Sequence, residues 1–512
     1  MQNKEVSVKR ALQGHAPVSA DVYAATVQAD GAIVFGGTFT AVNGQARSRL
    51  ARVNSDGALD SAFNPAPGGD VLCMVPEGGG RLYIGGGFTT VAGQSRSYLA
   101  RLNSDGTLDT SFAPALSAVV YTIAVQPDGK VLAGGAFTAA GGVTRNYVAR
   151  FNLNGTLDTS FDANANSFVT TINVLRDGNL ILGGYFTSIG AQSRPYLARV
   201  SPSGALDNTY QPALNNAVLG TAVQADGKLV CGGTFTSVGG QNRHHVARVL
   251  PSGTLDAAFA PDANGNVFSV ALQPDGKVLL GGEFFTVNGT IRNRFARINN
   301  DLPVRPLTVV NATSVLWTRG GSAPEFTQVS FEVFSGGAWT QLSAGTRVGT
   351  TANWQFTGYN LTNTAGTIRA RGRTAAGYLS GSGGQIEQQV PFNFLTGFAL
   401  WAFTNIPSGQ NTTFTSDANG DGLSNGLTYI FGTAPIRFTS PGRIPAPATI
   451  PADVDVYCER TTTFAANGWT PVASWVNGAA PVLASGVTLV SGEVRDSFPG
   501  PRASYRYRAL QR

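Results

Sequence analysis

The chain has 512 residues, of which 13% are charged and 64 are glycine. A chain of this length is too long to form a single hydrophobic core, which predicts two to four domains. The balance of residues is typical of a turn-rich β protein and excludes a disordered or coiled-coil chain. The net charge of +6 comes with five lysines and no basic run, so we expect no nucleic-acid partner, and no apolar stretch approaches the ~20 residues of a membrane span.

A phenylalanine recurs every 49 residues through the first three hundred positions. Around it each unit has an apolar stretch, an Asp-Gly turn, a short strand ending in Gly-Gly, a third strand such as residues 145–152, and a final Leu-Asp-x-x-Phe/Tyr piece. Four short strands per unit are typical of a propeller blade, so the six copies predict a six-bladed β-propeller over residues 1–302. The recurring residues are Phe39, Phe88, Phe137, Phe186, Phe235 and Phe284.

Two arginines recur in every unit, for example Arg47 and Arg52. Folding back through the turn at 55–57 brings Asp60 opposite or diagonal to Arg52, which predicts a charge-assisted hydrogen bond within each blade. The alternative is a ring of arginines that faces a polyanionic ligand.

The sixth unit ends near Asp301 without its Leu-Asp-x-x-Phe piece. At the other end of the series, residues 4–17 precede the first complete unit, and their Ala16-Pro17 resembles Ala113-Pro114 after the fourth piece of unit two. We therefore predict that the N-terminal segment donates the missing strand and closes the ring, which removes two exposed sheet edges.

The repeated pattern resembles a known family. Residues 25–302 carry Gln-Pro-Asp-Gly-Lys-Val-Leu-x-Gly-Gly-x-Phe, then Arg-x-x-Val-Ala-Arg-x-Asn, then Asp-Gly-Thr-Leu-Asp-x-Ser-Phe. This pattern is similar to the bacterial delta-60 repeat. The resemblance implies a propeller-like domain of large exported bacterial proteins, and it implies no catalytic residue.

After residue 302 the composition changes, and all six tryptophans follow. Alternating apolar and polar residues predict an Ig-like β-sandwich over residues 303–394, a linker with a short helix over 395–436, and a further β module over 437–512. The fold class is therefore all-β, a six-bladed propeller followed by small β-sandwich modules.

The linker contains a calcium-like loop. Oxygen ligands at loop positions one, three, five and nine, with glycine at six, match an EF-hand-like loop, although Thr428 replaces the usual acidic residue at position twelve. The segment resembles the dockerin-like Asp-x-Asp-x-Asp-Gly spacers of bacterial surface proteins, and it predicts a weak Ca²⁺ site; the alternative is an Asn/Asp-capped loop without metal. The predicted ligands are Asp417, Asn419, Asp421, Leu423 and Asn425.

No P-loop, Rossmann fingerprint or His-Glu-x-x-His motif occurs, and the adjacent His244 and His245 sit in one unit only. The favoured function is a non-catalytic, secreted or cell-surface scaffold, monomeric, that binds a protein or glycan ligand through rim loops such as residues 42–45, 141–144 and 287–290. A propeller hydrolase or lyase acting on polysaccharide is the first alternative, and an intracellular interaction scaffold is the second alternative.

The chain has three cysteines without a pairing pattern. We expect them to be small buried hydrophobic residues and not to form a disulfide framework; they are Cys73, Cys231 and Cys458.

Overall fold

The structure, a computed structural model, describes residues 18–395 apart from 29, 336, 362–363 and 375–384, together with strands between 443 and 511. Contacts divide the chain into two units, Met1–Tyr359 with Thr367–Val390, and Asn360–Gly366 with Pro391–Arg512. The repeats and most of the sandwich that follows them belong to the first unit. No helix among the described residues has the length and apolar character needed to cross a membrane.

Every repeat contains five strands in the same order. Repeat 1 has β1 Val22–Val27, β2 Ile33–Gly37, β3 Ala41–Val42, β4 Gln45–Ala46 and β5 Leu50–Val53. Repeat 2 has β6 Val71–Pro76, a short 3-10 helix Gly78–Gly80, β7 Leu82–Gly86, β8 Thr90–Val91, β9 Gln94–Ser95 and β10 Leu99–Leu102. Repeat 3 has β11 Val120–Val125, β12 Val131–Gly135, β13 Ala139–Ala140, β14 Val143–Thr144 and β15 Val148–Phe151. Repeat 4 has β16 Val169–Val174, β17 Leu180–Gly184, β18 Ser188–Ile189, β19 Gln192–Ser193 and β20 Leu197–Val200. Repeat 5 has β21 Val218–Val223, β22 Leu229–Gly233, β23 Ser237–Val238, β24 Gln241–Asn242 and β25 Val246–Val249. Repeat 6 has β26 Val267–Leu272, β27 Val278–Gly282, β28 Thr286–Val287, β29 Thr290–Ile291 and β30 Phe295–Ile298.

The first, second and fifth strands of each repeat form a three-stranded antiparallel sheet, and the third and fourth strands form a separate small hairpin. The first strand of one repeat, its inner strand, lies beside the inner strand of the next, from β1 through to β26. This arrangement confirms the six-bladed propeller. The predicted closing strand lies in residues 1–17, outside the described residues.

Two close contacts explain why the second strand of a repeat ends in a Gly-Gly pair. In repeat 4 the inner strand carries a bulge between Val169 and Thr171, and a Cβ at Gly184 would overlap the carbonyl oxygen of Phe168. A Cβ at Gly183 would lie 3.0 Å from the Val218 side chain of the next repeat. One glycine therefore permits the bulge and the other permits blade-to-blade contact.

The structure differs from the four-strand expectation in two places. The predicted polar loop is the hairpin exemplified by β13 and β14, so the long strand predicted over 145–152 is shortened to β15. The Leu-Asp-x-x-Phe piece makes one bridge, Phe151 with Leu157, instead of a strand. The Asp158 carboxylate accepts the Ser160 N–H at 3.0 Å, which turns the chain away from the sheet.

The chain then forms two four-stranded sheets in the orders β32-β33-β38-β37 and β36-β35-β39-β40, with β31 and β34 as a separate pair. Phe331 and Phe356, one from each sheet, are buried with ring centroids 5.9 Å apart, so the inner faces pack as a β-sandwich. The strands are β31 Pro303–Val304, β32 Leu307–Asn311, β33 Ser314–Trp317, β34 Gly320–Gly321, β35 Gln328–Ser335, β36 Ala338–Ala344, β37 Thr346–Arg347, β38 Trp354–Thr357, β39 Ala365–Arg373 and β40 Gln385–Asn393.

The strands between 443 and 511 also form two antiparallel sheets, in the orders β41-β46-β45 and β44-β43-β42-β47. These sheets are consistent with the small β-sandwich modules of the predicted fold class. The strands are β41 Arg443–Pro445, β42 Val454–Thr461, β43 Thr470–Trp475, β44 Val482–Leu483, β45 Val487–Val490, β46 Glu493–Asp496 and β47 Ser504–Gln511.

Candidate binding face

The residue just before the fifth strand of every repeat adopts a left-handed backbone conformation. In repeat 3 the N–H of Tyr147 donates to the Phe137 carbonyl at 2.8 Å, and its carbonyl accepts from the Gly135 N–H at 2.9 Å, which locks the bend. Such a conformation costs a side-chain-bearing residue roughly 1–2 kcal/mol, so the surrounding blade maintains the backbone conformation at each of these residues. The six φ angles are Arg49 63°, Tyr98 68°, Tyr147 63°, Tyr196 67°, His245 64° and Arg294 63°.

Four aromatic rings meet at this position between repeats 3 and 4. The Phe168 ring lies 6.0 Å from that of Tyr121, 5.8 Å from that of Tyr147 and 6.4 Å from that of Tyr185, each edge-to-face. Phe168 is 40% exposed and Tyr185 is 45% exposed. Burial, together with the nearby Tyr185 hydroxyl, raises the pKa of Tyr121. We call these four residues the aromatic cluster.

The aromatic cluster breaks the repeat. The positions equivalent to Phe168 in the other repeats hold Asp21, Asp70, Val119, Ala217 and Asn266, and those equivalent to Tyr185 hold Thr38, Gly87, Ala136, Thr234 and Glu283. Between repeats 1 and 2 the same location holds an ion pair, Arg49 with Asp70 at 2.9 Å. The backbone is the same at each of these places, so the fold does not require a particular side chain at the positions of Phe168 and Tyr185.

The aromatic cluster lies at the end of the propeller where the inner strands begin. We call this end the entry face. The sandwich lies at the opposite end. There the N–H of Ala225 donates to the Ala323 carbonyl at 2.6 Å, and the N–H of Glu325 donates to the Val223 carbonyl at 2.9 Å. Val75, Val125 and Val174, where three inner strands finish, line a cleft with Thr327 and Arg373 of the sandwich. The sandwich therefore leaves the entry face uncovered.

The arginines and aspartates of the repeat belong to the scaffold. Arg52 donates to Asp60 at 2.8 Å, and its copies make the same bond: Arg101 to Asp109, Arg150 to Asp158, Arg199 to Asp207 and Arg248 to Asp256. The other repeated arginine donates to backbone, as Arg96 does to the Phe112 carbonyl at 2.7 Å. The predicted blade-internal pairing is confirmed, and these guanidinium groups form hydrogen bonds within the propeller.

The two histidines contact different groups. Nδ1 of His244 lies 2.8 Å from Oδ1 of Asp262, and Nδ1 of His245 lies 3.2 Å from the Gly233 carbonyl oxygen. Burial lowers the pKa of His245. Within the described residues no group of three or more His, Cys, Asp or Glu side chains is placed to hold a metal ion.

The predicted calcium ligands, Asp417, Asn419, Asp421, Leu423 and Asn425, lie outside the described residues. Cys73 and Cys231 are buried free thiols, as expected from the sequence, and burial raises the pKa of Cys231 to about 12. The predicted rim loops are the tips of the small hairpins, where residues such as Asn43 and Gly44 are exposed. Sequence reasoning missed the aromatic cluster, although aligning the six units and collecting the variable positions would have found it.

Six segments of the chain match the model of one family, described as a domain of unknown function (DUF5122) beta-propeller. They cover residues 28–63, 80–112, 126–161, 175–210, 224–259 and 273–302. The chain is a β-propeller repeat protein. No curated relative matches the sequence of this repeat protein.

Two solved structures show a low level of fold similarity. The WD40 beta propeller domain of Doa1 is 15% identical, with a TM-score of 0.32, over 52% of this chain and 90% of that one. PorZ, described as an essential bacterial surface component of the type-IX secretion system of Porphyromonas gingivalis, is 14% identical with a TM-score of 0.35. That match covers 75% of this chain and about half, 53%, of PorZ.

Proposed function

We propose that this protein is a non-catalytic scaffold, secreted or at the cell surface, that binds a protein or glycan ligand on the entry face of its propeller. The observation that carries the proposal is the aromatic cluster. Phe168 and Tyr185 expose large ring surfaces at positions where five other repeats hold unrelated residues. Rigid aromatic side chains supply much of the energy of binding surfaces because they bury a large area with little loss of conformational freedom.

The geometry of the entry face supports recognition over chemistry. The rings of Tyr121, Tyr147 and Tyr185 pack edge-to-face with Phe168, so a ligand meets a group of aromatic rings, three of which carry a hydroxyl. The Tyr147 ring packs against the Phe168 ring at 5.8 Å, which restricts it before a ligand binds and lowers the cost of ordering it. The secreted or surface location rests on the resemblance to the delta-60 repeat.

The test is a binding screen of the full chain against a printed glycan array and a displayed peptide library. Each selected ligand is then measured with Phe168→Ala and Tyr185→Ala, for which we expect about 30-fold weaker binding, the loss typical of a central aromatic contact. Thr234→Ala, which changes the position equivalent to Tyr185 in repeat 5, is the matched control and should alter binding less than about twofold. Binding that survives both aromatic replacements would place recognition elsewhere on the molecule.

A further inference from the structure

Two asparagine side chains form a hydrogen-bonded pair beside the aromatic cluster. The Nδ2 group of Asn146 donates to Oδ1 of Asn164 at 2.8 Å. Asn146 directly precedes Tyr147, and Asn164 lies in the connecting segment, residues 162–168, which leads into repeat 4 and ends at Phe168. Exposed and buried residues alternate along this segment, and both Asn164 and Phe168 belong to the exposed set. We call Asn146 and Asn164 the amide pair, and it borders the aromatic cluster on the entry face.

The amide pair has hydrogen-bonding groups that the bond within it does not use. An asparagine side chain carries two N–H donors on Nδ2 and an acceptor at Oδ1. Among the residues that the structure describes, Oδ1 of Asn146 and Nδ2 of Asn164 have no hydrogen-bond partner. The pair therefore offers an acceptor and a donor from adjacent side chains. Two neighbouring hydroxyl groups of a sugar match this arrangement, because each hydroxyl can donate and accept.

The fold does not require the amide pair. Asn164 has a φ of 46°, and its carbonyl accepts the Gly190 N–H at 3.0 Å. Ala213, the equivalent residue of the next connecting segment, has a φ of 52°, and its carbonyl accepts the Gly239 N–H at 2.9 Å. The same backbone thus forms without an asparagine. The positions equivalent to Asn164 hold Ala66, Ala115, Ala213 and Asp262, and those equivalent to Asn146 hold Ser48, Ser97, Pro195, His244 and Asn293.

The surroundings of the amide pair have balanced charges. Arg145, which precedes Asn146, pairs with Asp162 at 3.4 Å, so one cation and one anion offset each other. Burial, with the nearby Tyr185 hydroxyl, raises the pKa of Tyr121, so its phenol is un-ionised at neutral pH. A surface without excess charge gives no electrostatic preference for a charged ligand. These contacts favour an uncharged ligand.

The size of the aromatic surface favours a sugar over a protein partner. Phe168 and Tyr185 are less than half exposed, and a whole aromatic side chain has about 150–250 Å² of surface, so the two together expose roughly 150–200 Å². A stable protein interface covers about 800 Å² of each partner. The C–H face of a sugar ring is apolar and of the smaller size. Apolar rings with a few fixed polar groups beside them are also the usual lining of a small-ligand site.

We propose that the entry face binds an uncharged glycan. One sugar unit lies with its C–H face against Phe168 and Tyr185, and hydroxyls of the same or the adjoining unit bind the amide pair, one donating to Oδ1 of Asn146 and one accepting from Nδ2 of Asn164. This inference rests on the binding function proposed above for the entry face, and it adds the class of ligand and two hydrogen-bonding residues.

The first experiment titrates the full chain with neutral hexasaccharides of glucose, mannose, galactose and xylose at millimolar concentrations, by isothermal calorimetry. The double variant Asn146→Ser with Asn164→Ala carries residues that other repeats already have at these positions, so its melting temperature should match that of the parent. Its binding should be about tenfold weaker, because two hydrogen bonds to the sugar are lost. The matched control is His244→Ser with Asp262→Ala, the equivalent pair between repeats 5 and 6, and it should change the Kd less than about twofold.

A second readout tests the charge of the ligand. The Kd of the neutral hexasaccharide should change less than about twofold between low and high ionic strength, because no charge on the ligand is screened. The hexasaccharide of galacturonic acid, which carries carboxylates, should bind no more tightly than that of galactose. Tighter binding of the acidic probe that salt weakens would overturn the uncharged class.

The outcomes separate this inference from the function on which it rests. A peptide ligand that Phe168→Ala weakens, with no neutral hexasaccharide bound, would overturn the glycan and leave the entry face as a protein-binding site. A hexasaccharide whose Kd rises in Phe168→Ala but not in the double variant would overturn the role of the amide pair. Binding that neither Phe168→Ala nor Tyr185→Ala weakens would reject the entry face itself, and no binding of any probe would overturn both proposals.

Discussion

Asp207 shows how one side chain holds a blade together. Its carboxylate accepts the Thr209 hydroxyl and N–H, and the Arg199 guanidinium at 2.7 Å. The Arg199 guanidinium in turn lies 4.9 Å from the centre of the Tyr210 ring. The residue therefore connects a turn, a strand and an aromatic contact, which explains why its equivalents recur.

These contacts predict an acid-dependent loss of stability. The hydrogen bond from the Thr209 hydroxyl, with those from the Thr209 N–H and Arg199, outweighs burial and holds the pKa of Asp207 at about 2, below its ordinary 3.8. Because the folded-state pKa is lowered, the ionised carboxylate stabilises the folded protein above pH 4, and this contribution disappears as the pH falls through about 2.

The variant Asp207→Asn should therefore be less stable than the parent at pH 7, and the difference in free energy of unfolding should shrink between pH 4 and 2. Denaturant unfolding at each pH measures it. Asp56→Asn, in an exposed turn, is the control and should show little difference at any pH. A difference for Asp207→Asn that stays constant down to pH 2 would contradict the assignment.

At the scale of the element, the repeated sequence motifs predict most of the blade. Asp-Gly turns, Gly-Gly strand ends and the Arg–Asp pair are local features, and each is found where the spacing places it; Gly129 after Asp128, for example, has a φ of 83°. The small hairpins and the reduced fourth piece could not be predicted, because they depend on contacts such as the bridge from Leu116 of one connecting segment to Ala140 of the following repeat.

Glycine at the blade contact gives a second prediction. Gly183→Ala places a methyl group 2.6 Å from the Thr171 side chain and 3.0 Å from that of Val218, so we expect a loss of about 1–3 kcal/mol from overpacking. For Gly281→Ala, at the equivalent position of repeat 6, the neighbour that the described residues place against the added methyl group is the Ser269 hydroxyl, which can rotate away. Thermal unfolding should therefore separate the two variants, and equal destabilisation would contradict the blade contact.

The calcium-like loop remains a proposal that its spacing alone supports. With oxygen ligands at Asp417, Asn419 and Asp421 but Thr428 at position twelve, we expect weak binding, with a Kd of roughly 10⁻⁴–10⁻³ M. Isothermal titration with Ca²⁺ should give heat that Asp421→Ala abolishes. A parent chain that gives no heat and no thermal stabilisation by Ca²⁺ would remove the site.

At the scale of the whole molecule, the sequence predicts the number of repeats and the change of composition after them. It does not predict which end of the propeller is available, because that depends on the bonds from Ala225 and Val223 to the sandwich. The aromatic cluster could not be predicted from the sequence for a related reason. Its four rings belong to two repeats, and Tyr121 and Phe168 are distant in sequence although their rings are in contact.

We propose that the repeats form a scaffold and that recognition occurs where they differ, on the entry face. The most direct test is the Kd of the tightest ligand from the glycan and peptide screens, measured with the parent chain, Phe168→Ala and Thr234→Ala. We expect about 30-fold weaker binding for Phe168→Ala at an unchanged melting temperature, and no comparable loss for Thr234→Ala. An unchanged Kd for Phe168→Ala, or an equal loss for both variants, would contradict it.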